Sequence, residues 1–180
     1  MALVKSVYRA MEHIAPLRLA EKWDNVGLLL EAPFVRPNAT KVLLTIDLTT
    51  EVASEALATP TAFIVAYHPT IFRPLPSLTL SNPLQRSLLR LAAAGVSVYA
   101  PHTALDSVTG GINDWLADGV RAGSGSAKVR YTGEALGDEG GQGRLVAFRE
   151  PVSMQDLQAR VKVHLGLHKD TVEVSIQQRQ

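Results

Sequence analysis

The sequence predicts an α/β fold: a three-layer, parallel-type sheet with flanking helices, and an incomplete second half after a Gly-rich loop. Three observations predict it. Apolar strand-like and helix-like segments alternate between residues 41 and 100, an amphipathic helical pattern opens the chain, and seven of the 13 glycines crowd into residues 121–143. The 180 residues suffice for one ordinary domain, and 46% apolar against 19% charged residues is the balance of a chain that buries a core. The expected organisation is an α/β domain carrying a metal site over 1–120, a Gly-rich loop or linker over 121–143, and a C-terminal helix with strands over 144–180.

The elements follow in order. Leu3, Val7, Met11 and Ile14 recur at helical spacing, and Pro16 stops that helix. Residues 41–46 and 63–66 are β-branched and apolar runs that read as buried strands, ending beside Asp47 and beside Tyr67 and His68. Between them residues 51–58 read as a short helix with Thr50 as its N-cap. Asn82 and Pro83 open a helix that Gly95 closes, and residues 96–99 form a third strand. Strand–helix–strand order with connections of this length implies right-handed crossovers and parallel pairing. Beyond the glycines, residues 129–131 and 144–148 read as strands, and Ser153 with Asp156 caps a helix closed by Gly166. Residues 171–176 then alternate as a strand that nothing follows, so the chain is expected to be cut short.

Composition narrows function. Eighteen basic against 17 acidic residues leave +1, which gives no electrostatic case for nucleic acid, and no cysteine means no disulfide, thiolate zinc site or thiol nucleophile. Lys5, Arg9 and Glu12 break the first apolar stretch, and no window approaches a membrane span. A soluble intracellular protein is expected, in the cytoplasm, with nucleus and mitochondrion left open.

The chemistry gathers at strand ends. His68 follows one strand and His102 another, and the rim beyond the carboxyl ends of a parallel sheet is where α/β folds place ligands. Asp106, one helical turn after His102, can aim at the same point, so His68, His102 and Asp106 form a candidate metal site suited to zinc, iron, manganese or cobalt. Incomplete protein ligation would leave a coordinated water, whose pKa a divalent ion lowers from about 15.7 toward about 7. Each residue also has a plainer reading: Asp106 as a cap for a helix near residues 112–117, while Asp47, also at a strand end, either enters the same crevice or forms the turn before Thr49 and Thr50. Gly110 and Gly111 could present amides to an anion or simply turn into that helix. Trp23 to Gly27 reads first as a turn anchored by a buried Trp, and otherwise as a wall of the crevice. His13, His164 and His168 have no matched partner and are read as surface or rim residues.

Four motifs, in this order, resemble the NGG-interacting factor 3-like family of dinuclear metal centre proteins, also described as type 2 GTP cyclohydrolase I homologues. They are Glu21-Lys22-Trp23-Asp24-Asn25-Val26-Gly27-Leu28, His68-Pro69-Thr70-Ile71-Phe72, His102-Thr103-Ala104-Leu105-Asp106 and Gly110-Gly111-Ile112-Asn113-Asp114. The chain resembles fungal members most. The resemblance implies an α/β domain with two metal ions in a cleft, usually within a ring-like homo-oligomer, and it matches His68, His102 and Asp106 to metal ligands. Tyr67 stands where the family's His-His-Pro motif has its first His, and no His-x-x-x-Glu segment follows Gly143. One ion or none is therefore expected here. Two functions are carried forward: a metal-dependent hydrolase-like protein acting on a nucleotide-like or phosphorylated small molecule, and a non-catalytic interaction or regulatory protein, in contact with a transcription factor, that keeps a vestigial site.

Overall fold

A computed structural model describes residues 2–122 and 127–167. The strand expected at 171–176, together with His168, lies outside the described residues. The chain divides into two compact units, Met1–Val108 and Thr109–Gln180.

The first unit is built on a four-stranded sheet. β1 (Gly27–Leu30), β2 (Lys41–Thr45), β3 (Thr61–Ala66) and β4 (Ser97–Ala100) lie in the order β1-β4-β3-β2. β2, β3 and β4 are parallel, with Val42 beside Phe63 and Ile64 beside Val98, as the strand–helix–strand order requires. β1 departs from the sequence reading: it pairs antiparallel with β4, placing Gly27 opposite Ala100. The motif over 21–28 therefore runs alongside the strand that leads to His102.

Because successive side chains of a strand point to opposite faces, β3 serves two cores, and all six of its residues are buried. Ile64 and Ala66 pack with Val98 under α2 (Thr50–Ala58) and α3 (Pro83–Ala93), which contribute Ala53, Ala56, Leu88 and Leu91. Phe63, Val65 and Tyr99 pack on the other face against Val4, Val7 and Met11 of α1 (Ala2–Ile14). Helices on both faces of the sheet make the expected three layers.

Local chemistry sets the helix ends. The Asn82 side chain accepts from the Gln85 amide at 3.1 Å, with Pro83 at the first helical position. The α2 cap is Thr49, one residue before the expected Thr50: its hydroxyl accepts from the Val52 amide at 3.3 Å. At the other end of α2 the Arg36 guanidinium donates to the carbonyls of Ala56, Leu57 and Thr59 at 2.7–3.1 Å, satisfying acceptors the helix cannot. Gly95 turns the chain from α3 into β4 at φ +77°, and a Cβ there would fall 2.6 Å from the Arg36 backbone nitrogen.

The second unit contains α5 (Ile112–Arg121), the antiparallel pair β5 (Lys128–Arg130) and β6 (Leu145–Ala147), and α6 (Met154–His164). Ser153 caps α6 as expected, accepting from the Asp156 amide at 3.1 Å. His164, read as lacking a partner, has one: its half-buried ring lies tilted against Trp115 at 4.3 Å between centroids, and a Cβ on Gly119 would overlap it. Arg144, only 3% exposed, forks onto Asp114 at 2.5 and 2.9 Å. The Gly110 amide donates to Asp114 at 2.6 Å. The anion at this glycine turn is therefore a carboxylate of the chain itself.

Candidate functional site

β3 and β4 are adjacent and parallel, so their carboxyl ends deliver the next residues to one rim of the sheet. After Ala66 the chain leaves regular strand geometry: consecutive amides, Tyr67 and His68, donate to the consecutive carbonyls of Thr45 and Ile46 at 2.9 and 3.0 Å. A regular strand would send these two side chains to opposite faces. Here both rings stand together, 4.9 Å apart, and both stand near His102. The His68 and His102 centroids are 5.6 Å apart, and those of Tyr67 and His102 are 5.5 Å apart.

His102 is placed by strain and by hydrogen bonding. It opens α4 (His102–Ser107) with φ +32°, a conformation that costs a non-glycine residue energy and survives only where the surroundings impose it. Asp24 imposes it. Its carboxylate, with a side chain 0% exposed, meets His102 Nδ1 at 2.9 Å and accepts from the Thr103 hydroxyl at 2.5 Å and the Thr103 amide at 3.2 Å. The Thr103 hydroxyl also accepts from the Glu21 amide at 2.9 Å, which ties the turn over 21–25 to the start of α4. Burial alone would raise the Asp24 pKa, but the hydrogen bonds from Thr103, His102 and the Asn25 amide outweigh it and hold the carboxyl below its ordinary range.

His68 is oriented the same way by a second carboxylate, with Nδ1 2.8 Å from Asp47 Oδ1, although this pair is half exposed. An ionised carboxylate only accepts, so Nδ1 of each imidazole carries the hydrogen, and Nε2 is the nitrogen that a neutral ring would offer as a donor to a metal. Asp106 sits in α4. Its Oδ1 accepts from the Tyr67 hydroxyl at 2.7 Å. Burial, that hydrogen bond and the charges of Asp106 and Asp24 push the Tyr67 phenol well above its ordinary pKa, so it stays protonated.

The structure thus brings His68 and His102 together and reaches Asp106 through Tyr67. Among the described residues no group of three or more His, Asp and Glu side chains is arranged to hold a metal ion. The spacing of the two rings fits a shared ion. Zinc–nitrogen bonds of about 2.0–2.1 Å would set two imidazole centres sharing a tetrahedral ion about 5 Å apart, close to the 5.6 Å found. Nδ1 held by a carboxylate, which leaves Nε2 as the ring's second nitrogen, is also the arrangement of metal-ligating histidines.

The sequence reading underrated two residues. Asp24 was assigned to a turn anchored by a buried Trp23, yet Trp23 is 63% exposed and Asp24 is the buried member. Trp23 stands beside the histidines, edge-on to His102 at 6.3 Å and to Phe72 at 6.2 Å, and the Asn25 side chain ties this turn to the Ile71 carbonyl. Asp47 proves to be the orienting partner of His68.

A three-layer, parallel-rich α/β fold of this kind is shared by several solved proteins. The profile of the family Duf34/NIF3 (NGG1p interacting factor 3) matches residues 2–179, and the chain belongs to this family. It is 47% identical to the "Protein NIF3 homolog" of Schizosaccharomyces pombe over 163 residues, 88% of this chain and 59% of that protein. It is 39% identical to the "NGG1-interacting factor 3" of Saccharomyces cerevisiae, over 89% of this chain and 60% of that one. The chain thus spans somewhat under two thirds of the length of these relatives. The fold resembles that of reduced HcgD from Methanocaldococcus jannaschii, with a TM-score of 0.68 at 23% identity over 89% of this chain and 59% of that one. A Bacillus cereus protein related to NIF3 superposes with a TM-score of 0.59 at 28% identity, over 71% of this chain and 33% of its own. No helix of the described residues is long and apolar enough to cross a membrane.

Proposed function

We propose that the sheet rim beyond the carboxyl ends of β3 and β4 binds a divalent metal ion through His68 and His102, with Asp106 as the carboxylate ligand. On this reading the chain is a metal-dependent, hydrolase-like protein acting on a nucleotide-like or phosphorylated small molecule. The observation that carries it is the pair of imidazoles 5.6 Å apart at neighbouring strand ends, each with Nδ1 on a carboxylate. The chain's own residues do the preparatory work. Asp24 and Asp47 fix the tautomers, Thr103 and the turn over 21–25 hold His102 in its strained conformation, and Asp24, Asp47 and Asp106 make the rim attractive to a cation. A bound divalent ion supplies Lewis acidity and an acidified water. Trp23 and Phe72 wall one side of the cleft, where a substrate would lie.

The second reading is a non-catalytic protein that acts by contact with a partner. The name of the yeast relative, an interacting factor, supports it. Metal content separates the two. Purified wild type should retain a divalent ion and gain thermal stability from added zinc or manganese, and His102→Ala should lose both. Metal below about 0.2 ions per chain in wild type, or the same content in His102→Ala, refutes the metal reading.

A further inference from the structure

We infer that Tyr67 limits the cleft to a single metal ion, because it occupies the place and engages the carboxylate that a second ion would need. This rests on the metal reading proposed above and concerns how many ions the site can hold. The donors near the two imidazoles can be followed one at a time. Asp24 is wholly buried, and its oxygens are spent on His102, Thr103 and the Asn25 amide. Asp47 Oδ1 is engaged by His68 Nδ1. Asp106 Oδ1 accepts from the Tyr67 hydroxyl, which leaves at most Oδ2 for an ion. The third ring of the cluster, beside His68 at 4.9 Å and His102 at 5.5 Å, belongs to Tyr67 itself.

Two ions that work together sit about 3.5–4 Å apart and need donors on both sides with a group bridging them. A carboxylate bridges with both oxygens, and here one is engaged by a phenol. Beside the two Nε2 atoms, Asp106 can then offer an ion one oxygen at most, so it cannot bridge two ions with both oxygens. A phenol whose hydrogen is directed at Asp106 adds a weak oxygen where an imidazole would add a strong nitrogen. Tyr67 is in this sense the residue that determines metal stoichiometry.

The test loads the full chain and Tyr67→His with manganese(II), removes loosely held ion, counts metal by mass spectrometry and records electron paramagnetic resonance. Wild type should hold about one manganese per chain with the resolved hyperfine pattern of an isolated ion. Tyr67→His should hold about two, with the broadened spectrum of a coupled pair. Two coupled ions in wild type would overturn this inference and leave the metal reading standing. No bound manganese in wild type would overturn both. A folded Tyr67→His that still holds one ion would show that Tyr67 is not what sets the number, and the wild-type count stands whether or not that variant folds.

Discussion

Replacing Asp24 by Asn tests how the cleft is built, because shape is kept and charge is removed at a side chain with no exposure. Asp24 Oδ2 accepts from the Thr103 hydroxyl and the Thr103 amide and meets His102 Nδ1 at 2.9 Å, while Oδ1 takes the Asn25 amide at 2.8 Å and meets His102 Nδ1 at the same 2.9 Å. An amide keeps one carbonyl oxygen and turns the other position into a donor, so one of these two sets must be lost. Hydrogen bonds to a charged group contribute about 1.5–3 kcal/mol each, and losing two would cost about 3–6 kcal/mol. The desolvation no longer needed for a buried charge returns part of this, leaving a net loss of about 2–4 kcal/mol. For a unit of this size that lowers Tm by roughly 10–20 °C. The same change frees the His102 tautomer, so the affinity for zinc should fall about 10- to 100-fold. Asp47→Asn is the matched control: its pair with His68 is 48% and 63% exposed, and such a pair contributes about 0.2–1 kcal/mol, a shift of a few degrees at most. Thermal unfolding by circular dichroism and calorimetric zinc titration read both effects. Equal Tm shifts for the two variants, or an Asp24→Asn protein within about 2 °C of wild type, would refute the assignment of Asp24 as the buried anchor of His102.

Two further predictions concern the scaffold. Hydrogen bonds from Arg144, followed by that from the Gly110 amide, hold the Asp114 carboxyl below its ordinary range despite partial burial. This contribution is complete above the unfolded value of about 3.9 and is lost as pH falls through the lower folded value. Asp114→Asn should therefore weaken hydrogen-exchange protection of α5 and α6 by about 3–5 kcal/mol near neutral pH, with the gap to wild type closing below about pH 4; a gap that does not change with pH would refute the ion pair as its origin. Gly95→Ala places a side chain in a left-handed conformation against the Arg36 backbone and should cost at least about 1–2 kcal/mol in urea unfolding, whereas an unchanged midpoint would mean that the α3–β4 turn relaxes freely.

The parts of the fold legible in the sequence are those whose signal is local. The Asn82-Pro83 start and Gly95 end of α3 come from side-chain and backbone preferences within a few residues, and the structure reproduces them. β2, β3 and β4 are short, β-branched, buried runs separated by helices, and that order carries the parallel pairing with it. β1 escaped because Leu28 to Leu30 have no alternation and no turn to a neighbour: the partner of Gly27 is Ala100, which is far along the chain. Arg36 as the cap of α2 and Arg144 as the partner of Asp114 escaped for the same reason, since each pairs with backbone or carboxylate about 20 to 30 residues away.

Within the site the division is sharper. His68 and His102 are legible because a strand end in a parallel sheet fixes where the following residue emerges, whatever its side chain does next. Their orienting carboxylates are not, because Asp24 and Asp47 act across loops, and an acidic residue before a turn reads as a turn former. Trp23 shows the hazard of assigning burial by residue type. In the turn over 21–25 the aromatic ring is the exposed wall and the carboxylate is the buried anchor, since Thr103, His102 and Asn25 give that carboxylate the hydrogen bonds it would otherwise take from water. The identity of the residue beside His68 then matters more than its proximity. A second imidazole would add a donor, whereas the phenol of Tyr67 removes an acceptor from Asp106, so one change of residue alters the donor count on two side chains at once.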